Sequence, residues 1–266
     1  ARRGRRFARN GHVTGTSHIQ RTFRASSHSR RSAYRAWRVS VRHTSSQRQT
    51  TPCAEQISAA LSRIGYQPQQ RIIAFDDEGG GWAGRLCWTL DVIGHYDWAY
   101  LDGGLRAWHA AGLPLAQGSS APAPTEPCGI TIDNDPIAEI ADVMAAIDDT
   151  DSVIWDVRSA EEYAGLRSGS ARRGHIPGAV NLDWELLKDA NRQLRLIENL
   201  EEVAESLDLF EAKQVITHCQ THHRSGLSYL VGRLLGLNIK AFHGSWAEWG
   251  NDPSTPITNP SETGNP

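Results

Sequence analysis

The sequence contains a long-range internal repeat. Residues 72–76 read IIAFD and match 215–219, VITHC, while 101–108 read LDGGLRAW and match 242–249, FHGSWAEW; the offsets are 143 and 141 residues. In each copy a short apolar strand leads through a loop and a helix to a second strand and a Gly and Trp motif. This alternation predicts an α/β fold with mostly parallel sheets flanked by helices, and the repeat predicts two such domains.

The repeat divides the chain into five parts. We predict that residues 52–113 form a partial first domain without a nucleophile, and that residues 129–258 form the complete second domain. Residues 114–128, PLAQGSSAPAPTEPC, are rich in Pro, Ala and Ser and predict a linker. Residues 1–51 and the tail 259–266 fall outside both copies. The first domain is expected to be incomplete or aberrant, because its opening strand would fall within the anomalous N-terminus.

The first 50 residues have an unusual composition, with 13 Arg and no Lys, Asp or Glu. Three interpretations are open: an organellar transit peptide, a basic disordered arm, and out-of-frame translation of a GC-rich gene. The complete absence of three charged residue types fits the frame error best. Codons can be chosen for Arg21 to Arg24 that encode His-Ile-Pro when they are read in a shifted frame. The second copy has His-Ile-Pro at residues 175–177.

The overall composition is that of an ordinary globular protein, with 39% hydrophobic and 22% charged residues. No apolar run approaches the roughly 18 residues of a membrane span. Residues 51–266 contain 15 Lys and Arg residues and 30 Asp and Glu residues. This negative net charge argues against nucleic-acid binding. Four separated cysteines indicate neither a zinc framework nor a disulfide scaffold. We expect a cytoplasmic protein without membrane or nucleic-acid partners, or a mitochondrial one if the N-terminus is a transit peptide.

The stretch THCQTHHRSG, residues 217–226, carries the clearest chemical signal. Cys219 follows the apolar strand 214–218, and a helix is predicted to begin just after Arg224. The carboxyl end of a parallel strand is where open α/β sheets bind ligands. Unpaired N–H groups and the helix dipole favour a thiolate and bind anions there. We therefore predict that Cys219 is a nucleophile rather than a small core residue.

A zinc site is another interpretation of this cluster, because His218, Cys219, His222 and His223 lie close together in the chain. However, consecutive residues cannot all point at one ion, and no second ligand pair follows at finger-like spacing. A dinucleotide site at residues 76–85, DDEGGGWAGR, is also disfavoured, because its glycines lack the G-x-G-x-x-G spacing. The sequence predicts no metal and no cofactor.

From residue 53 to about residue 258 the chain resembles the tandem-domain rhodaneses, which are thiosulfate:cyanide sulfurtransferases. The resemblance rests on DDEGGGWAGR, LDGGLRAW, DVRSAEEY (156–163), GHIPGAVN (174–181), the cysteine loop and GSWAEWGNDPSTP (244–256). The loop Cys-Gln-Thr-His-His-Arg is similar to that of the bacterial type. The chain departs from the vertebrate thiosulfate enzymes at Glu162, where they have Arg, and from the Gly-Ser-Gly loop of the mercaptopyruvate enzymes.

The resemblance implies that the Cys219 thiolate takes the outer sulfur of thiosulfate and passes it to cyanide or a thiol. It places the substrate against the loop amides and among the side chains of Gln220, Thr221, His222, His223, Arg224, Trp184, Asp156 and Arg158. For Asp156 and Arg158 a supporting ion pair is an equal alternative, and His175 is expected to be structural. The implied partners are a small-molecule donor and acceptor and possibly a sulfur-accepting protein, and a monomer is expected.

Two other functions stay open. Cysteine phosphatases and arsenate reductases also place a Cys and an Arg around a loop before a helix, but with five residues between them. Here there are four, and the narrower ring of amides suits one sulfur atom better than a phosphate. A non-catalytic persulfide carrier would use the same loop to hand sulfur to a partner protein.

Overall fold

The computed structural model describes residues 53–116 and 123–263, called here the N-terminal segment and the C-terminal segment. Residues 1–52, which include the arginine-rich stretch, six residues of the predicted linker (117–122) and the last three residues lie outside this part. The three interpretations of the N-terminus therefore stay predictions. Within the two segments, no helix combines the length and apolar character that a membrane crossing needs.

The N-terminal segment contains a two-stranded parallel sheet. Its elements are α1 (Ala54–Arg63), β1 (Ile72–Ala74), α2 (Gly81–Val92), β2 (Trp98–Tyr100) and α3 (Gly104–Ala110). Helix α1 buries Ile57 and Leu61, and the chain leaves it through Gly65, which has a φ of 74°. Strands β1 and β2 pair with Ile73 opposite Ala99, and α2 connects them, so this segment is a β-α-β unit.

The C-terminal segment contains a five-stranded parallel sheet in the order β3-β9-β8-β4-β5. Its strands are β3 (Ile137–Ala138), β4 (Ser152–Asp156), β5 (Val180–Asn181), β8 (Gln214–His218) and β9 (Ile239–Phe242). A short antiparallel pair, β6 (Lys188–Asp189) and β7 (Arg195–Leu196), lies apart from the sheet. The flanking helices are α4 (Ile140–Ile147), α5 (Ala160–Tyr163), α6 (Leu200–Ser206), α7 (Arg224–Leu234), α8 (Ser245–Trp249) and α9 (Pro260–Thr263), with 3₁₀ turns at Trp184–Leu187 and Ala190–Arg192.

The predicted α/β class with a mostly parallel sheet is confirmed. Strand β8 covers the predicted residues 214–218, and helix α7 begins at Arg224 and ends before Gly236, which has a φ of 75°. The sequence also predicts a helix over residues 197–210, and the observed helix is shorter: α6 spans only Leu200–Ser206. Asp208 adopts a left-handed φ of 56°, a conformation that cannot continue a helix.

Helix α2 of the N-terminal segment crosses helix α7 of the C-terminal segment at two glycines. A Cβ added to Gly84 would lie 2.1 Å from the main-chain oxygen of Gly226, so the backbones touch. Near the same crossing, Tyr229 Oη donates to Asp91 Oδ2 at 2.8 Å. Buried residues of both segments, among them Trp88 and Leu227, belong to one hydrophobic core. The cysteine loop therefore leads into a helix that is packed on both sides.

Candidate active site

Cys219 directly follows β8, the middle strand of the five-stranded sheet, and α7 begins five residues later. The first turn of α8 braces this loop: Trp246 N–H donates to the oxygen of Cys219, and Ala247 N–H to that of Gln220, both at 2.9 Å. Cys219 has no exposed surface. A sulfur donor can therefore reach the thiol only if the side chains around the loop move aside.

Two buried serines hold the cysteine. Ser225 Oγ, in the first turn of α7, donates to Cys219 Sγ at 3.4 Å and lies 2.7 Å from His222 Nδ1. Because the serine proton goes to sulfur, Nδ1 of His222 carries a proton in this arrangement. Ser245 Oγ accepts from the N–H groups of Cys219 and His222, at 3.4 and 3.1 Å. The hydroxyl donor favours an anionic sulfur over a thiol.

His222 shapes the loop from the inside. Its φ of 56° is left-handed, which is uncommon for a residue other than glycine. Its imidazole is fully buried and lies edge-on against Trp88 of α2, with ring centroids 4.6 Å apart. Burial, followed by repulsion from Arg85 and His243, holds the pKa of His222 well below its ordinary value. The sequence predicts a substrate-binding residue here; the structure places its ring in the core against Trp88, and the binding role stays a prediction.

His223 and Trp184 meet at the partly exposed rim of the loop. The His223 ring packs against Trp184 and against Trp82, with centroids 5.6 and 4.4 Å apart. Nε2 of His223 contacts the carboxylate of Glu78. Lys188 Nζ lies 3.4 Å from the centroid of the Trp184 ring. The rim is thus built by both segments, and Trp184 is part of it.

Arg224 forms an ion pair with Glu162, the position at which the chain departs from the vertebrate enzymes. Nη1 lies 2.6 Å from Oε2 and Nη2 lies 3.0 Å from Oε1, with side-chain exposures of 19% and 10%. Burial opposes the ionised forms, but the pairing outweighs it: the pKa of Arg224 is raised and the pKa of Glu162 is lowered. Much of the Arg224 charge is therefore neutralised within the protein.

Asp156 and Arg158 form a fully buried ion pair beside β8. Arg158 Nη2 lies 2.6 Å from Asp156 Oδ2 and 2.9 Å from the oxygen of Gly174, and both side chains have no exposed surface. The guanidinium also lies 4.2 Å from the ring centroid of Trp246. Burial raises the pKa of Asp156, but the charges of His218 and Arg158 bring it below its ordinary value. Both side chains are fully buried, which favours the supporting ion pair, and their assignment as substrate ligands stays a prediction.

Gln220 and Thr221 lie in the outer, partly exposed part of the loop. Gln220 Nε2 donates to Ser170 Oγ at 3.1 Å. His175 lies farther away: its ring stacks on Tyr163 with centroids 3.7 Å apart, and its main chain pairs with Thr258. Gln220 and Thr221 are therefore placed where a ligand could contact them, and the structural role of His175 stays a prediction.

The N-terminal segment contains an equivalent loop in which a carboxylate replaces the sulfur. Asp76 follows β1 much as Cys219 follows β8, and Leu105 N–H donates to its main-chain oxygen at 2.9 Å, matching Trp246 in the other loop. Four main-chain N–H groups donate to the Asp76 carboxylate at distances of 2.8 to 3.2 Å, those of Glu78, Gly79, Gly80 and Ala83. A loop of this geometry therefore binds an anionic group.

The imidazoles near Cys219 point in different directions. His218 Nε2 lies 3.7 Å from Asp156 Oδ2, while His222 faces Trp88 and His223 faces Glu78. Among residues 53–116 and 123–263, no group of three or more His, Cys, Asp or Glu side chains could hold a metal ion. The zinc interpretation of the cluster has no geometric support in this part of the chain.

Comparison with known proteins identifies the family. The rhodanese-like domain profile matches residues 139–252, which contain the cysteine loop. A thiosulfate sulfurtransferase of Pseudomonas aeruginosa is 43% identical over 208 residues, covering 77% of this chain and 76% of that protein. The chain belongs to the rhodanese family. A sulfur carrier protein of Thermus thermophilus is 27% identical over 225 residues, covering 78% of each chain.

The rhodanese fold also matches a solved structure, that of an anaerobic ergothioneine biosynthesis enzyme from Chlorobium limicola. The TM-score is 0.71 at 21% identity, and the match covers 78% of this chain. The chain spans about half of that enzyme, with 55% of it covered. At this level of identity the likeness supports the fold.

Sequence reasoning missed several residues around the rhodanese loop. Ser225 had a local signal, since a hydroxyl residue directly follows Arg224. Ser245 had a signal in the repeat, because it aligns with Gly104 of the first copy. The structure shows why the two positions match: both have a left-handed φ, of 52° and 51°. Three residues come from the N-terminal segment and have no local signal that connects them to Cys219: Glu78, Trp82 and Arg85.

Proposed function

We propose that this rhodanese is a thiosulfate sulfurtransferase in which Cys219 carries the transferred sulfur as a persulfide. The observation that carries the proposal is the hydrogen bond from Ser225 Oγ to Cys219 Sγ at the start of α7. A hydroxyl donor and a helix N-terminus both favour negative charge on sulfur. The similarity to the Pseudomonas aeruginosa enzyme supports thiosulfate as the donor.

In the first half-reaction, the Cys219 thiolate attacks the outer sulfur of thiosulfate. The new S–S bond forms as the S–S bond of thiosulfate breaks, and its electron pair leaves with sulfite. In the second half-reaction, cyanide or a thiolate attacks the outer sulfur of the persulfide and releases the Cys219 thiolate. The products are thiocyanate or an acceptor persulfide, so no external oxidant or reductant is needed.

The loop would bind the anions of both steps. The carboxylate of Asp76 in the equivalent loop supports this, because four amides converge on it. The outer residues Gln220 and Thr221 and the rim residues His223 and Trp184 would contact the entering donor. Because Cys219 is buried, His223 and its neighbours must move for thiosulfate to enter.

The two segments would be copies of one domain, of which the second is catalytic. The matching hydrogen bonds to Asp76 and Cys219 and the matching φ values at Gly104 and Ser245 support this. We keep the sequence-based boundaries of 52–113 and 129–258 with a linker at 114–128. The cytoplasmic location and the monomeric state stay predictions.

The test is thiocyanate formation from thiosulfate and cyanide by the full chain, with Cys219→Ser as the matched control. We expect turnover in the wild type, none in the variant, and a mass increase of one sulfur atom on Cys219 after thiosulfate alone. Mercaptopyruvate and p-nitrophenyl phosphate are measured in parallel. Turnover of the phosphate ester without thiocyanate would assign the loop to the phosphatases instead.

A second candidate is a persulfide carrier, which the similarity to the Thermus thermophilus sulfur carrier protein favours. A carrier would take up one sulfur atom from thiosulfate and keep it when cyanide or small thiols are added. Intact-mass analysis before and after cyanide separates the two functions. A persistent persulfide with negligible thiocyanate would indicate transfer to a protein acceptor.

A further inference from the structure

The N-terminal segment reaches the cysteine loop through helix α2. At the crossing of the helices, a Cβ on Gly226 would lie 2.5 Å from the main-chain nitrogen of Arg85. The backbone of Arg85 is thus pressed against the start of α7. Its side chain is consequently placed next to the loop between Cys219 and Arg224.

Arg85 interacts with the loop itself. Its Nη1 donates to the main-chain oxygen of His222 at 3.1 Å. Its guanidinium lies 4.9 Å from the ring centroid of Trp88, and the Trp88 ring in turn packs against the His222 ring. Arg85 therefore contacts His222 directly through the carbonyl and indirectly through the indole.

His222 is the strained point of the loop. A left-handed φ in a residue other than glycine costs free energy and persists only when its surroundings hold it. Here the N–H group of His222 is held by Ser245 Oγ, and its carbonyl is held by Arg85. Both sides of the residue are fixed, one by each segment. Without Arg85 the carbonyl of His222 would lose this hydrogen bond, and the strained backbone would be held on one side only.

We propose that Arg85, although it belongs to the segment without a nucleophile, is a positioning residue for Cys219: it fixes the His222 carbonyl and supplies a positive charge to the ionised sulfur. This inference rests on the proposed function and extends it to a residue of the other segment. No local pattern in the sequence connects Arg85 to the reaction.

The charge argument is consistent with this role. Burial lowers the pKa of Arg85 to about 10, and the charge of an ionised Cys219 acts in the opposite direction. Arg85 is therefore protonated at neutral pH, and the two charges attract each other. The other charged or titratable groups around the loop are the histidines His218, His222, His223 and His243. Three acid–base contacts lie beside them: Glu78 with His223, Glu162 with Arg224, and Asp156 with Arg158. None of these residues is altered in the variants below.

The experiment compares Arg85→Met, which removes the charge and the donor, with Arg85→Lys, which keeps the charge. The control is Arg106→Met, because Arg106 is exposed and also donates to a loop carbonyl, that of Asp77 at 2.7 Å. Alkylation of Cys219 by iodoacetamide is followed against pH by peptide mass, which separates it from the other cysteines. Thermal unfolding and thiocyanate formation are measured on the same samples.

We expect Arg85→Met to raise the pH midpoint of alkylation by about one unit and to slow thiocyanate formation at saturating thiosulfate about tenfold. The midpoint of Arg85→Lys should lie close to that of the wild type, and the midpoint of Arg106→Met should equal it. The inference would be overturned if the pH midpoint of alkylation were unchanged in Arg85→Met. It would also be overturned if the midpoint shifted as far in Arg85→Lys as in Arg85→Met. If the wild type made no thiocyanate while the midpoint still shifted, the proposed function would fail and the positioning role would stand.

Discussion

Arg224 donates to both carboxylate oxygens of Glu162, with one Nη 2.6 Å from Oε2 and the other 3.0 Å from Oε1. The sequence showed Glu162 only as a departure from related enzymes and Arg224 only as a group that attracts the donor. The structure shows that each is the partner of the other. The charge available to thiosulfate is therefore set by the pair and not by Arg224 alone.

This pairing leads to opposite expectations for two variants. Arg224→Ala should raise the KM for thiosulfate, chiefly at low salt, because a positive charge near the anion is lost. Glu162→Gln keeps the shape and should lower KM about threefold, since it leaves the Arg224 charge free. Steady-state kinetics at two salt concentrations measure both. A rise in KM in Glu162→Gln equal to that of Arg224→Ala would show that the pair only positions the loop.

Ser225→Ala removes the hydroxyl that donates to Cys219 Sγ. We expect the persulfide to form about tenfold more slowly, because a hydrogen bond to a charged acceptor is lost. Ser225→Thr should retain most of the rate. The matched control is Ser228→Ala, which removes a buried hydroxyl from the same helix that bonds Thr217 instead of the sulfur. Rapid-mixing intact mass gives the rates, and equal effects at the two serines would contradict the assignment.

Asp156→Asn should destabilise the protein by about 3–5 kcal/mol, since it leaves Arg158 charged, buried and without its partner. Urea unfolding measures the change. Asp151→Asn is the control, because Asp151 pairs with Lys213 at the surface, and exposed pairs contribute little. A small effect of Asp156→Asn would mean that water or another group satisfies Arg158.

Acid should destabilise the fold through buried histidines. Burial lowers the pKa of His175, His218 and His222 below their ordinary value. Below about pH 6.5 the unfolded chain therefore binds more protons than the folded one. The free energy of unfolding then decreases as the pH is lowered. Urea unfolding at about pH 7 and about pH 5.5 tests this, with His175→Gln expected to flatten the slope. Constant stability over this window would contradict it.

Gly84→Ala tests the crossing of α2 and α7. Its Cβ would lie 2.1 Å from the oxygen of Gly226, so the helices must separate at an expected cost of about 1–3 kcal/mol. Because Gly226 lies in the first turn of α7, sulfur transfer should fall as well. Gly129→Ala is the control, since nothing lies within 4 Å of its Cβ. Thermal unfolding and thiocyanate assays distinguish the two, and an unaffected Gly84→Ala would refute the close packing.

Local patterns sufficed for the loop that carries Cys219. An apolar strand, a cysteine and an amphipathic helix that begins at Arg224 define its position, since each is set by residues near in sequence. The same holds for the class of fold, because short apolar runs alternate with helices. The end of α6 was mispredicted, because the left-handed Asp208 is invisible in a pattern of apolar residues.

The side chains that surround the loop come from distant parts of the sequence, so local patterns could not predict them. Glu78 lies 145 positions from His223, and Arg85 lies 137 positions from His222. Their contacts exist because two helices cross at glycines, a property of the assembled chain. For Asp156 and Arg158 the sequence allows two roles, and it gives no sign of the complete burial that the structure shows for both side chains.

The carboxylate of Asp76 fills the ring of amides in the N-terminal segment, so that loop carries its own permanent ligand and has no room for one from solution. The N-terminal segment would then influence sulfur transfer through its contacts with the loop of Cys219, as proposed for Arg85, and not through its own loop. Its face toward the cysteine loop should therefore change slowly among related chains, while its outer face is free to diverge.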